Sequence, residues 1–276
     1  MKKGVRKIIQ DIKSIKIQGA TNIARQALKA FLLEPTAKVK HALINARPTE
    51  PMLANVVNSI DKCYHKEKHL CINTPLHFDN SQEKINKLIY KIIKNQDVIY
   101  THCHSTNVVK SLIYAKKHNK RFEVYNTETR PLFQGRKTAL ELEKAGIKVT
   151  TFVDAAAAIA LEKKQGTKKA NLVLLGSDAI LKDGVINKVG SGLIAEIAFL
   201  HKIPLYIVSD SWKFFPKHVK IEERDFREIW KNAPKDIKIR NPSFEFINKK
   251  YIKAVISELG ILKFDEFVKR AKKEIK

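Results

Sequence analysis

The chain has 276 residues, 44% hydrophobic and 29% charged, the balance of a globular protein of one large or two modest domains, which excludes a disordered tail, a fibre and a disulfide mini-scaffold. A net charge of +25 invites a nucleic-acid reading, yet only 10 of the 53 basic residues are Arg and the Lys residues are spread over almost every segment. With no zinc finger, RNA-binding aromatic motif or long basic block, the charge reads as a solvated surface, and no nucleic-acid partner is expected.

The N-terminal segment MKKGVRKIIQDIKSIK has no apolar signal core and no cleavage site; Ile8, Ile9, Ile12 and Ile15 recur at helical spacing, so it reads as an amphipathic helix. An apolar, Ala-rich helix is predicted over Ala20 to Leu33, stopped near Pro35. No run approaches ~20 apolar residues, so no membrane span is expected. The three cysteines, Cys63, Cys71 and Cys103, are odd in number with no CxxC spacing, and point to a reducing cytoplasm. Asn80 and Ser81 followed by Glu83 read as a helix start. The helix after them carries Ile85, Leu88, Ile89, Ile92 and Ile93 on one face.

From Asp97 the pattern becomes strand, loop, helix, repeated. DVIYTH (97–102), FEVYNTE (122–128), KVTTFVD (148–154), LVLLGSD (172–178) and LYIVSD (205–210) are strand candidates. Helices are predicted from about Asn107 to Asn119, over TALELEKAG with Gly146 as its cap, over AAAAIALEKK and over SGLIAEIAFLHK. AILKDGVINKVG carries a hairpin-like Asp183-Gly184 turn. The expected fold class is α/β, with a helical N-terminal domain over residues 1–95 and a Rossmann-like parallel-sheet domain over 96–276. Ligands sit at the carboxyl ends of such strands. Neither GxGxxG nor GxxxxGK[ST] occurs, so no NAD, ATP or other cofactor is expected.

Four polar loops fall at those strand ends. The first, Thr101 to Asn107, places Cys103 between a strand and a helix N-terminus, where the dipole and free amides favour a thiolate or an anion. His102 and His104 on the same loop lack a third partner at metal-ligand spacing, so no metal is expected. The second, Thr127 to Arg136, packs Glu128, Arg130, Gln134 and Arg136 together and reads as an anion clamp, since Arg is scarce here and its planar fork suits phosphate. In the third, Asp178 follows the apolar run LVLL and is expected to be desolvated and protonated. The fourth, Asn187 to Ser191, opens a helix and suits an anion or a sugar hydroxyl.

The run TETRPLFQGRKTALELEKAGI, with THCHST before it and GSDAI and INKVGS after it, resembles the family of initiation factor 2B α/β/δ subunits and aldose-phosphate isomerases. The resemblance extends through IQGA near residue 18, ARPT at 46–49, SWKFFP at 211–216 and NPSFEFI at 241–247. It implies a catalytic pair, Cys103 as base and Asp178 as acid. It implies substrate contacts from Gly19, Ala20, Arg47, Ser105, Thr106, Asn107, Asn187, Lys188 and Lys213, beside the Arg130 and Gln134 read from their loop. The pattern differs at Gln18, where isomerases carry Arg, and at His104, where they carry Asn. The reaction implied is metal-free conversion of ribose 1,5-bisphosphate to ribulose 1,5-bisphosphate in nucleoside degradation. The alternatives are a non-catalytic regulatory subunit that binds a translation factor, and an isomerase of 5-methylthioribose 1-phosphate. The family resemblance, with the aromatic-rich segment Trp212, Phe214, Phe215, Phe226, Trp230, Phe244 and Phe246, implies a homodimer or homohexamer.

Overall fold

The structure is a computed structural model and describes residues 1–17, 19–48, 50–66, 73–217, 219, 221 and 223–274. Gln18, Thr49 and Cys71 lie outside the described residues.

The first four helices, α1 (Lys3–Lys13), α2 (Ala20–Leu33), α3 (Ala37–Ile44) and α4 (Pro51–Lys66), enclose one core. Val5, Ile9 and Ile12 supply the apolar stripe of α1. Ile15 falls beyond the helix end, in a left-handed conformation (φ 61°). Helix α2 has the bounds the sequence predicts, and its buried Ala24, Ala27 and Ala30 let its neighbours approach closely. Helix α5 (Asn73–Ile92) starts seven residues before the Asn80-Ser81 signal. Ser81 is not a cap because it is buried and its hydroxyl donates to Glu258 Oε2 at 3.1 Å. Phe78 of this helix joins the N-terminal core, whereas Ile85, Ile89 and, just past its end, Ile93 pack against the sheet. One helix therefore joins the helical core to one side of the sheet.

The alternation after Asp97 forms β1 (Asp97–Thr101), α6 (Thr106–Lys117), β2 (Phe122–Thr127), α7 (Gln134–Lys144), β3 (Lys148–Phe152), α8 (Ala157–Glu162) and β4 (Leu172–Leu175). It continues through β5 (Ala179–Ile180), β6 (Gly184–Lys188), α9 (Ser191–Leu200) and β7 (Leu205–Val208), then β8 (Phe244–Asn248), β9 (Ala254–Ser257), β10 (Gly260–Leu262) and α10 (Phe264–Glu274). The main sheet has seven strands in the order β10-β9-β7-β4-β1-β2-β3, all parallel except β10. Strands β1, β2 and β4 are buried along their whole length, as expected of parallel strands covered on both faces.

Two features were not foreseen. LVLLGSD does not run on as one strand: β4 ends at Leu175, and Ala179 onward turns into the β5–β6 hairpin. That hairpin pairs with β8, Lys188 opposite Phe244, to make a separate three-stranded antiparallel sheet. The C-terminal aromatics divide accordingly: Phe214 and Phe244 are core, Trp212 stacks on His77, and Phe226, Trp230 and Phe246 are exposed. Cys63 is disulfide-bonded, which the cysteine spacing did not suggest, and Cys103 is free. Among the described residues no helix is long and apolar enough to cross a membrane.

Candidate active site

The carboxyl ends of β1 and β4 meet the start of α2 around a cavity of about 350 Å³. The β1–α6 loop forms one wall. Ser105 caps α6 by accepting from the Val108 N–H at 3.4 Å. It sits against Gly176, where a Cβ would lie 2.6 Å from the Ser105 Cβ and Oγ, so only glycine lets these two strand ends come together. Cys103 is left-handed (φ 63°), a conformation that costs a non-glycine residue ~1–2 kcal/mol. Its N–H donates to Thr129 Oγ1 at 3.0 Å, and its carbonyl accepts from Thr138 Oγ1 at 2.8 Å.

The two loop histidines are committed elsewhere. His102 is buried; its Nε2 donates to the Val189 carbonyl at 2.9 Å, which leaves Nδ1 to accept from Thr127 Oγ1 at 2.5 Å. Burial holds it neutral, well below the usual imidazole range. Gly190 (φ 99°) lies against its ring, where a Cβ would meet Nε2 at 3.1 Å. His104 Nδ1 donates to Thr138 Oγ1 at 3.0 Å, and burial, then the charge of Lys137, lowers its pKa as well.

Burial pushes the Cys103 thiol up to about 11; Lys188 works against this, and the Asp178 carboxylate adds to it. Cys103 is therefore a thiol at neutral pH, where its place before a helix suggests a thiolate. Burial is the largest cause, and α6 starts three residues beyond Cys103. Asp178, half-buried, donates its N–H to the Ile186 carbonyl at 2.9 Å. The Asn187 amide orientation that satisfies all its neighbours donates to Asp178 Oδ2 and to the Gly176 carbonyl, both at 3.3 Å, and accepts from Ser191 Oγ at 2.8 Å. That N–H donor fixes the orientation of the Asp178 carboxyl group at the cavity wall.

Two lysines supply positive charge. Lys188, on β6, is buried with its ammonium 5.1 Å from the Phe244 ring centroid. Lys213 is buried and donates to the Ser177 carbonyl at 2.5 Å. Among the described residues neither has a carboxylate partner. Buried ammonium groups without a counter-ion are costly unless an anion is to be bound. Arg47 adds a guanidinium from the loop after α3, its Nε 3.9 Å from Glu50 Oε1.

Of the residues named from the sequence, Cys103, Asp178, Gly19, Ala20, Arg47, Ser105, Thr106, Asn107, Gln134, Asn187, Lys188 and Lys213 line the cavity. Arg130 is the exception. It is exposed, its N–H donates to Asp154 Oδ2 at 2.7 Å, and its guanidinium lies 4.9 Å from the Phe133 ring. Arg136 is paired with Glu128 at 2.6 Å, so the anticipated clamp is an internal ion pair beside an exposed arginine. Sequence reasoning missed Glu50, Lys137, Arg224 and Ser243, which also line the cavity. Arg224 carries the same signal of scarcity that singled out Arg47; the other three have no local signature. One further cluster was missed: His77, Asp210 and Glu258, outside the cavity, bring potential metal-donor atoms within 4.8 Å of one another.

A Rossmann-like sheet under a helical N-terminal layer, with Cys103, Asp178 and two buried lysines lining one cavity, is an arrangement suited to an anionic ligand. The sequence profile of the Initiation factor 2 subunit family matches residues 15–264, and the chain belongs to that family. It is 35% identical to the ribose 1,5-bisphosphate isomerase of Methanocaldococcus jannaschii, over 94% of this chain and 91% of the relative. It is 27% identical to a Pyrococcus abyssi protein described as a putative translation initiation factor eIF-2B subunit 2-like, over 94% and 96%. The crystal structure of the Pyrococcus horikoshii translation initiation factor eIF-2B superposes with a TM-score of 0.83 at 26% identity, covering 95% of this chain and 98% of that one.

Proposed function

We propose that the chain is an isomerase converting ribose 1,5-bisphosphate to ribulose 1,5-bisphosphate. The observation that carries this is the joining of Cys103 and Asp178 with two buried, carboxylate-free lysines in one cavity. The lysines suit phosphate groups; the thiol and carboxylate suit proton transfer. A purely regulatory subunit of the same family would need the first and not the second. The 35%-identical isomerase relative supports the substrate.

A 1-phosphorylated ribose cannot open to a free aldehyde. As the C1–O4 bond breaks, the ring oxygen takes a proton and C2 gives one up. The enol phosphate then accepts a proton at C1, while its C2 hydroxyl gives up its own to become the ketone. We assign C2 deprotonation to Cys103 and ring-oxygen protonation to Asp178. A thiolate whose conjugate acid has a pKa of about 11 is a far stronger base than a carboxylate, and a carboxylic acid is the stronger donor to an ether oxygen. The pair holds one proton, which rests on sulfur before the substrate binds and must move to Asp178 for the reaction. Lys188, whose charge lowers the thiol pKa, favours that transfer. Arg47, Lys188, Lys213 and the amides of Ser105 and Thr106 hold the phosphates.

The substrate being a phosphorylated metabolite, the setting is cytoplasmic. The assembly is a homodimer or homohexamer; Leu193, Phe199 and Leu200 of α9 are exposed and offer an apolar surface for it. The direct test incubates purified protein with ribose 1,5-bisphosphate and, separately, with 5-methylthioribose 1-phosphate, and follows ketose formation. Turnover of the bisphosphate alone supports the reading. Turnover of the monophosphate alone replaces it with the methylthioribose reaction, and turnover of neither leaves the regulatory role.

A further inference from the structure

Cys103 sits in a backbone conformation that its residue type does not favour, and two threonines from separate segments hold it there. Thr129, in the β2–α7 loop, accepts the Cys103 N–H at 3.0 Å. Thr138, on α7, donates its hydroxyl to the Cys103 carbonyl at 2.8 Å. Both threonines are buried, and each is itself fixed. Thr129 is left-handed too (φ 62°), and its N–H donates to Asp154 Oδ1 at 2.8 Å. Thr138 has spent its hydroxyl proton on Cys103, so its oxygen is free to accept from His104 Nδ1 at 3.0 Å. The side chain at 104 thus completes the arrangement, at a position where the isomerase pattern has Asn.

We propose that Thr129 and Thr138 are positioning residues that clamp both peptide groups of Cys103, holding its thiol on the cavity wall facing the substrate. The proposal rests on the catalytic reading of Cys103. Neither threonine lines the cavity, so neither touches substrate; each acts through the cysteine backbone. Without the clamp the Cys103 backbone relaxes towards an ordinary conformation and the sulfur moves. A displacement of about 1 Å at a reacting group is enough to lower turnover roughly 100-fold.

The test uses Thr129→Val and Thr138→Val, which keep shape and remove the hydroxyl, with Thr129→Ser and Thr138→Ser as conservative partners. Two quantities are measured. The first is steady-state turnover of ribose 1,5-bisphosphate. The second, made without substrate, is the rate at which iodoacetamide alkylates Cys103 at pH 8, followed by mass spectrometry of the Cys103 peptide. In the Val variants kcat is expected to fall 10- to 100-fold with KM within twofold, and Cys103 alkylation to change at least fivefold; the Ser variants restore both. Wild-type alkylation rates in both Val variants would overturn the clamp, whatever happens to activity. If wild-type protein turns over no bisphosphate, the functional reading fails, and the alkylation rates still decide the clamp. A Val variant that does not fold is replaced by the Ala variant of the same threonine, read by alkylation alone.

Discussion

The Lys213 ammonium lies 2.5 Å from the Ser177 carbonyl, one peptide before Asp178. The turn that carries Lys213 is held from three directions. Asp210 Oδ1 accepts the Trp212 N–H at 2.9 Å, Glu258 accepts the Ser211 N–H at 3.2 Å, and Asn55 of α4 donates to the Trp212 and Phe214 carbonyls at 2.7 and 2.9 Å. A lysine between the helical layer and the β4 end therefore couples the placement of the proposed acid to the packing of both layers.

The buried lysines carry a prediction of opposite signs. Lys188→Met removes an ammonium that has no carboxylate partner among the described residues, so the ligand-free melting temperature should hold or rise. Binding of ribulose 1,5-bisphosphate should weaken by roughly 10- to 150-fold, the equivalent of one charge-assisted contact of ~1.5–3 kcal/mol. Paired thermal melts and titration calorimetry check both; unchanged affinity would remove Lys188 from the phosphate site.

Cys103→Ser and Asp178→Asn should each lower turnover by at least ~100-fold, the range of general acid–base catalysis. Circular dichroism and melting temperature should stay close to wild type. Near-native turnover in either variant contradicts the roles assigned here.

A pair sharing one proton gives a defined pH profile. The one-proton form persists until the thiol ionises at about 11. Thus kcat/KM should vary less than about twofold between pH 7 and 9, and decline only as pH rises through that value. A rise of tenfold per pH unit over the same window would mean that a lone thiolate is the base and that no proton is shared.

His77 stacks on Trp212 at 4.3 Å and meets Asp210 Oδ2 at 3.1 Å. Burial opposes its charge, but the hydrogen bond to Asp210 and the fields of Asp210 and Glu258 outweigh this, and its pKa is raised. A group raised on folding contributes stability that is complete below its unfolded pKa of ~6.5 and is lost as pH climbs through the folded value. His77→Asn should therefore destabilise more at pH 6 than at pH 8. Equal losses in thermal melts at the two pH values would show that the ion pair adds nothing.

Leu200, 75% exposed, and Phe199, 59% exposed, lie on the apolar face of α9. Light scattering at micromolar concentration should find a dimer or hexamer, and Phe199→Lys with Leu200→Lys should shift it towards a ~32 kDa monomer. A wild-type monomer refutes the assembly.

Local pattern accounts for much of this fold. Strands β1, β2, β4 and β7, the helices between them, and the Asp183-Gly184 hairpin are legible because period and turn chemistry are properties of neighbouring residues. The loops bearing Cys103, Asp178 and Lys188 are legible because parallel strands deliver their carboxyl ends to one side. The start of α5 was misplaced because Ser81, a good cap in isolation, is spent on Glu258, which lies 177 residues further along the chain. The second sheet was missed because β8 pairs with β6 across a separation that no local pattern encodes. Arg130 and Gln134 look equivalent in sequence, yet only Gln134 lines the cavity. The Cys103 protonation state follows the same division: the residue types suggest a thiolate, whereas burial and a charge balance among groups distant in sequence leave a thiol. Residue types and spacing limit which chemistry this chain can offer; three-dimensional packing sets desolvation and charge proximity, and these decide the form in which each group stands.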